Sequence, residues 1–305
     1  GTAEAVAKRA LGVLQSVGLL RYLLPGYVVT LARSPIEQSN IDSGVILRGR
    51  YRSTTLAMDD RELNTITKVP NAKRYSRFNE RERTTLDAIE SNLESTLPRG
   101  KTTETVFGET RVERAVDGEP LRSRTTETVE SFRWGLRSGL DWIARLQTPY
   151  ADERTVVSPE SIAASLRIES LDVGFRAPPT PIETFETPIH GDFNTVNVFV
   201  DDDGITGVID WEFGKPRGSP FVDPTNFLLT LAIETFDDFD RALEIVFCED
   251  TPYSRAMENE LERYTDRVGL TLEAVIVNLP AGISHRTTAT VILMSVQSSI
   301  VTQRL

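Results

Sequence analysis

The 305-residue sequence holds one cysteine, Cys248, and two histidines, His190 and His285. A lone thiol excludes an intrachain disulfide, and a cytoplasmic location is the default expectation. With the histidines far apart, no Cys/His cluster has zinc spacing. No run of about twenty apolar residues escapes a charge or a proline, so no transmembrane helix is expected. Lysine is scarce: only Lys8, Lys68, Lys73, Lys101 and Lys215, the other basic residues being arginines. The formal net charge of −11 and pI near 4.9 argue against a nucleic-acid-binding face and against an anionic membrane surface. An acidic, lysine-poor surface resembles a halophile's, although a high-GC genome would equally favour arginine. There is no G-x-G-x-x-G loop, no internal repeat and no low-complexity segment.

What is present is enough for real cores: 39% hydrophobic residues over a length that suits two units sharing a cleft. The most informative stretch runs Ile189-His190-Gly191-Asp192-Phe193-Asn194-Thr195-Val196-Asn197 and continues to Val208-Ile209-Asp210-Trp211-Glu212. Between Asn197 and Asp210 the pattern is a hairpin: a strand over Val196–Val200, an acidic turn at Asp201-Asp202-Asp203-Gly204, and a return strand over Ile205–Asp210. If Val200 pairs with Ile205, Asn197 faces Val208 and Asp210 is its diagonal neighbour on the same face, roughly 7–8 Å away. Val196, Val198, Val200, Ile205 and Ile209 then form the core side. Two such groups can hold Mg²⁺ on nucleotide phosphates while Asp192 orients a hydroxyl and takes its proton. The plain alternative is a surface hairpin with Asp192 as a turn former.

This stretch resembles the aminoglycoside phosphotransferase and choline kinase family, small-molecule relatives of protein kinases. The family's H-G-D-x-x-x-x-N is met by His190, Gly191, Asp192 and Asn197, and its I-D-W-E by Ile209, Asp210, Trp211 and Glu212. The resemblance runs from roughly Gly44 to Tyr264 and is most specific between His190 and Asp223. It implies an α+β, two-lobed, protein-kinase-like fold: a small antiparallel-sheet N-lobe over 34–116 for the nucleotide, and a larger, mainly helical C-lobe over 117–305 for catalysis and acceptor. Residues 1–33 fall outside it as a helical extension. Because the chain begins with Gly1, a fragment and a processed product are both open, and 1–33 reads equally as the tail of an upstream domain.

In order, Ala3–Leu24 has helical character stopped by Pro25-Gly26, and Tyr27–Leu31 reads as a strand. Val45–Met58 and Glu62–Val69 read as antiparallel strands turning at Asp59-Asp60. The only glycines where a phosphate loop is expected are Gly44 and Gly49, so its residues are not named. Lys68, ending the second strand, resembles the family lysine that reaches the phosphates; a solvated strand-end lysine is the alternative, with Lys73 close by. A helix over Ser76–Leu93 has an apolar stripe of Phe78, Leu86, Ile89 and Leu93. Glu82 falls on that stripe and Glu80 about 200° away, so Glu82 is the expected partner of Lys68.

Thr105–Phe107 and Thr110–Val116 read as strands, with the adenine expected near the backbone of Arg114–Val116. Asp117–Leu121 resembles the family's inter-lobe turn, and Thr126–Gln147, a helix with one apolar face, resembles the buried central helix of its second lobe. Ser158-Pro159-Glu160-Ser161 is a helix start, and Pro178, Pro179 and Pro181 mark an extended linker. Asp223, before Pro224, either ties the next helix to the catalytic loop or is a plain N-cap. Phe227–Phe247 reads as one or two apolar helices, and Leu261–Leu305 as largely helical with a break at Pro280-Ala281-Gly282. Glu234, Asp237, Asp238 and Asp240 read mainly as surface charge, although the family often builds its acceptor site there. His285 reads as structural.

The resemblance implies a phosphotransferase moving the terminal phosphate of ATP or GTP to a hydroxyl of a small molecule such as a sugar, an aminoglycoside-like compound or an amino alcohol. Asp192 is the expected catalytic base, Asn197 and Asp210 the Mg²⁺ ligands, Lys68 and Glu82 the donor-binding pair, and His190 and Asp223 the supports. Gly191 in place of the protein-kinase arginine, and Trp211-Glu212 after Asp210, point away from protein substrates. A non-catalytic nucleotide-binding scaffold is the alternative, resting on the missing glycine-rich loop.

Overall fold

The computed structural model describes residues 28–32, 43–59, 62–89, 93–98, 100–158, 181–272 and 274–275. The expected helix at 3–24, the helix start after Ser158, Pro178 and Pro179, the break at 280–282 and His285 lie outside the described residues.

The N-terminal part is an antiparallel six-stranded sheet in the order β1-β2-β3-β4-β6-β5. Its strands are β1 Val28–Ala32, β2 Ser43–Arg48, β3 Arg52–Asp59, β4 Glu62–Pro70, β5 Gly100–Thr105 and β6 Gly108–Arg114. The stretch expected as one strand from Val45 is two, because the chain reverses at 49–51, where Gly49 N–H donates to Arg52 O at 2.9 Å. Strand β1 lies inside the expected extension over 1–33 but pairs with β2 (Thr30 opposite Ile46), so the sheet begins before residue 34.

Helix α1, Ser76–Asp87, packs on this sheet. Its buried face carries Phe78, Asn79, Glu82 and Thr85, and Asn79 Nδ2 donates to Lys68 O (2.9 Å) and Glu109 O (2.7 Å). One side chain thus pins α1 to both β4 and β6. Buried carbonyls and amides need such partners, which is why a polar residue is stable there. The helix ends earlier than the apolar stripe suggested, with Ala88 as C-cap.

Downstream come β7 Glu119–Pro120, α2 Leu121–Arg124 and α3 Val129–Gln147. Thr128 caps α3 by accepting the Ser131 N–H at 3.2 Å, so Thr126 to Thr128 precede the helix. Phe132, Leu136, Leu140 and Ile143 are at most 1% exposed, the i, i+4, i+8, i+11 pattern of a helix facing a core. Truncating one of them to alanine would cost about 2–5 kcal/mol. Gly139 lets α3 approach the next layer: a Cβ there would lie 2.2 Å from the Phe227 ring.

Strands β8 Arg154–Val157 and β9 Ile182–Phe185 pair with each other. They are followed by β10 Thr187–Ile189, the hairpin β11 Val198–Val200 and β12 Ile205–Val208, and β13 Lys215–Gly218. The C-terminal layer is α4 Val222–Phe236, α5 Phe239–Leu243 with a π-helical turn Glu244–Cys248, and α6 Pro252–Val268. The apolar run from Phe227 is therefore broken at Asp237, whose left-handed backbone (φ 50°) stops α4. A capping box between Thr251 and Ser254 starts α6, and Gly269, also left-handed, ends it. No helix among the described residues is long and apolar enough to cross a membrane.

Candidate functional site

The hairpin β11–β12 departs from the expected register. Val200 pairs with Ile205, but Phe199 pairs with Gly207 and Val198 with Val208, so Thr206 is an extra residue on the return strand. The bulge turns Val208 rather than Ile209 into the core (Val208 is 0% exposed). Asn197 lies across from Ile209, whose N–H donates to Asn197 O at 2.9 Å. The strand stops at Val208, and Asp210 is left-handed (φ 69°, ψ 57°) rather than a diagonal strand neighbour. Aspartate tolerates this region better than most residues, and strain of this kind concentrates at functional positions. Trp211 then locks the turn by donating Nε1–H to Val208 O at 2.9 Å.

The chain before the hairpin is held from α4. Asp223 Oδ2 accepts the His190 N–H (2.7 Å) and Oδ1 the Gly191 N–H (2.9 Å). Asp223 is in the first turn of α4 and Phe221 is the N-cap, so the plain-cap alternative does not describe it. Burial pushes the Asp223 carboxyl up, against the opposing pull of His190 and of the two N–H groups. Gly191 has φ +79°, and a Cβ there would meet Phe213 O at 2.5 Å, so glycine is required.

His190 is fully buried, its ring 4.6 Å from that of Trp211. Its Nδ1 accepts the Asp192 N–H (3.2 Å), so Nε2 carries the hydrogen that goes to Ile209 O (2.8 Å). One ring therefore ties the Asp192 loop to the Asp210 turn. Asn197 Nδ2 donates to Asp192 O (3.0 Å) and Oδ2 (3.3 Å), and Asn226 Nδ2 lies 3.5 Å from Asp192 Oδ1 while donating to Phe193 O at 3.0 Å.

On the sheet side, Lys68 Nζ donates to Glu82 Oε1 at 2.7 Å, and Glu113 Oε1 is 2.8 Å away. Glu82 is 0% exposed, whereas Glu80 is exposed and accepts from Ser76 Oγ at 2.7 Å. Burial alone would lower the Lys68 ammonium, but Glu113 and Glu82 hold its affinity for the proton above the ordinary value. Arg111 Nε completes this part, 3.0 Å from Glu113 Oε2.

Between the two halves stands Arg52, the first residue of β3. Its Nη2 donates to Asp210 Oδ1, and its Nη1 is 3.2 Å from Glu212 Oε2 and 3.7 Å from Glu82 Oε2. Burial acts to raise the Asp210 carboxyl, yet the Arg52 guanidinium, with Lys68 behind it, holds it down at about 2. Glu212 is pushed up to about 7 by burial and by Asp210. The guanidinium occupies Asp210 as a cation, the position a metal ion would contest.

Arg52, Glu113 and Asn226 were not singled out from sequence. Asn226 had a signal: it is three residues after Asp223, on the same face of a helix, and is polar in an apolar run. Arg52 had little, sitting in an alternation with Arg48 and Arg50 in which nothing marks one of the three.

The donor set fits a hard divalent cation bound with phosphates. Asp210 offers a carboxylate that now carries a guanidinium, and Asn197 is anchored through Nδ2, with no hydrogen bond to its Oδ1 among the described residues. Mg²⁺ is held by one or two such ligands plus substrate phosphates, and no cluster of three or more His, Cys, Asp or Glu suited to a metal occurs among the described residues.

A family model described as the phosphotransferase enzyme family matches residues 119–272, half of the chain. No curated protein matches the sequence. Among solved structures, the chain is similar to the ADP-bound aminoglycoside phosphotransferase APH(2'')-Ib, with 13% identity over 94% of this chain and 97% of that one, at a TM-score of 0.42. It is similar to an aminoglycoside-3'-phosphotransferase of type VIII, with 16% identity over 93% and 99%, at 0.43. A macrolide 2'-phosphotransferase, MphH from Brachybacterium faecium, shows 16% identity over 92% and 97%, at 0.44.

Proposed function

The chain belongs to the phosphotransferase enzyme family, and from that premise we propose that it moves the terminal phosphate of ATP or GTP to a hydroxyl of a small molecule, such as a sugar, an aminoglycoside-like compound or an amino alcohol. In this reading the fold is two-lobed and protein-kinase-like, with the six-stranded sheet and α1 as the nucleotide lobe and the rest of the chain from residue 117 as the catalytic and acceptor lobe.

The observation that carries the proposal is the linkage of two segments: Asn197 bonds the Asp192 carboxylate, and the His190 ring ties the Asp192 loop to Ile209, next to Asp210. Asp192 accepts a hydrogen bond from the acceptor hydroxyl and takes its proton as the phosphoryl group is transferred. Its carboxylate is steadied by the Asn197 amide, and Asn226 lies beside it. Asn197 Oδ1 and Asp210 would hold Mg²⁺, which supplies charge neutralisation on the donor phosphates when bound. Lys68, oriented by Glu82 and Glu113, contributes a further positive charge to those phosphates. Positioning and electrostatics account for most catalysis of this type.

The test pairs binding with turnover. Wild type should bind ADP or GDP more tightly with Mg²⁺ than without, and Asp210→Ala, still folded by circular dichroism, should lose that Mg²⁺ dependence. A screen of hydroxylated metabolites, amines and aminoglycosides with both nucleotides should then yield a phosphorylated product. Nucleotide binding without turnover on any acceptor would favour the scaffold reading instead.

A further inference from the structure

Arg52 is the least expected member of the site. It comes from the first tight hairpin of the sheet, beside the reversal at 49–51, and its guanidinium crosses to three carboxylates, those of Asp210, Glu212 and Glu82. Its side chain is 13% exposed. Its attachment is nonetheless incomplete. Nη2 is bonded to Asp210, but Nη1, 3.2 Å from Glu212 Oε2 and 3.7 Å from Glu82 Oε2, meets neither in hydrogen-bond geometry. An ion pair without an aligned hydrogen bond forgoes part of the stabilisation of a charge-assisted one, which lowers the cost of exchanging its anion.

Two physical points follow. A guanidinium bonded to Asp210 Oδ1 and a divalent cation on the same carboxylate repel strongly at short range in a partly buried site, so the two occupy Asp210 in alternation. A guanidinium released from a carboxylate is also matched to phosphate, because its planar fork suits either oxyanion. The chain has no glycine-rich loop to offer backbone N–H groups to a polyphosphate, and Arg52 provides positive charge from the same hairpin.

Resting on the reading above, we propose that Arg52 is a phosphate-binding residue of the donor site that neutralises Asp210 in the nucleotide-free protein and exchanges Asp210 for the donor phosphates as the divalent cation binds. The exchange makes metal and nucleotide binding cooperative. The incoming phosphates supply the anion that Arg52 needs to leave Asp210, and its departure frees the carboxylate for the metal.

The experiment measures binding of Mn²⁺ alone by electron paramagnetic resonance, and of ADP alone by calorimetry, to wild type and Arg52→Gln. The variant should bind Mn²⁺ several-fold more tightly, since the competing cation is gone, and ADP without metal about tenfold more weakly, since a charge-assisted contact is lost. Failure of either shift overturns the exchange. A second measurement reads wild type itself, with the conservative Arg52→Lys used only for assignment. In wild type, the Arg52 Nε–H resonance, identified by its loss in Arg52→Lys, should move on addition of Mg²⁺ with ADP, and an unmoved resonance overturns the exchange as well. If wild type binds no Mg²⁺-nucleotide at all, the donor-site reading falls with it; if it binds normally while Arg52 gives none of these signals, only the exchange is lost.

Discussion

Asp223 Oδ2 accepts the backbone N–H of His190 at 2.7 Å, and its other oxygen the N–H of Gly191 at 2.9 Å. A helix first turn thereby fixes the backbone immediately before Asp192. Gly191 is left-handed and His190 wholly buried, so neither N–H has an easy alternative acceptor. Asp223→Ala should destabilise the protein by about 1–3 kcal/mol for each donor left orphaned, read from urea denaturation. Nucleotide affinity should fall less than turnover, because the loop carries Asp192 rather than the donor contacts. Wild-type stability in the variant would show that water or a rearranged loop replaces Asp223.

The ion pair of Lys68 with Glu82 predicts an asymmetry between two nearby glutamates. Glu82→Gln removes a charge 2.7 Å from the ammonium and leaves Glu113 alone to orient it. Activity should drop about tenfold or more, the scale of one charge-assisted hydrogen bond. Glu80→Gln disturbs only the contact with Ser76 and should stay near wild type. Equal losses in the two variants would remove the basis for giving Lys68 a role at the donor.

The helix period singles out Glu82 over Glu80, because a carboxylate on an apolar stripe must find a cation, and Lys68 near the end of the preceding strand supplies one. The strand–turn–strand at 198–208 is legible in the same way from valine alternation and the acidic turn. The bulge at Thr206 is not, because its cause lies elsewhere in the chain. Thr206 Oγ1 donates to Asp117 O at 2.6 Å, and Gly207 sits where a Cβ would be 2.6 Å from Val116. Those contacts with 116–117 shift the register and exchange Ile209 for Val208 in the core, which no local pattern encodes. Arg52 is illegible for a related reason: what distinguishes it from Arg48 and Arg50 is the three acids it meets across the fold. Strand β1 at 28–32 is readable as a strand, but its place in the sheet depends on pairing with β2.

Glu260 gives a pH-dependent prediction away from the site. It is 2% exposed and bonded by Arg133 and Arg137 on α3, with Arg263 Nε 3.0 Å away. Burial pushes its carboxyl up, but the hydrogen bonds of Arg137 and Arg133 and the charge of Arg263 outweigh this and hold it below the ordinary glutamate value. The folded state therefore binds this proton less readily than the unfolded chain. The resulting stability is fully present above the unfolded value of about 4.3 and is lost as pH falls through the lower folded value. Glu260→Gln should cost about 1–3 kcal/mol at neutral pH, with the gap to wild type narrowing at pH values below the unfolded one. A gap in urea midpoints that is unchanged at acid pH would show that packing, not charge, accounts for the effect.

Asp192 separates enzyme from scaffold. Its backbone carbonyl and one carboxylate oxygen receive the Asn197 amide, and its N–H goes to the His190 ring. The carboxylate is thus oriented by groups that are themselves pinned, beside the proposed metal ligands rather than as one of them. Asp192→Asn is nearly isosteric and keeps an oxygen for the Asn197 amide, so the loop should hold its shape. What it loses is the capacity to take a proton, a contribution of roughly 10²–10⁴-fold in rate for a positioned base. The variant should bind Mg²⁺-nucleotide within about twofold of wild type while its turnover falls by that larger factor. The split between unchanged donor affinity and collapsed turnover distinguishes a proton acceptor from a structural residue, which would move both. Retention of wild-type turnover by Asp192→Asn would show that another group accepts the proton.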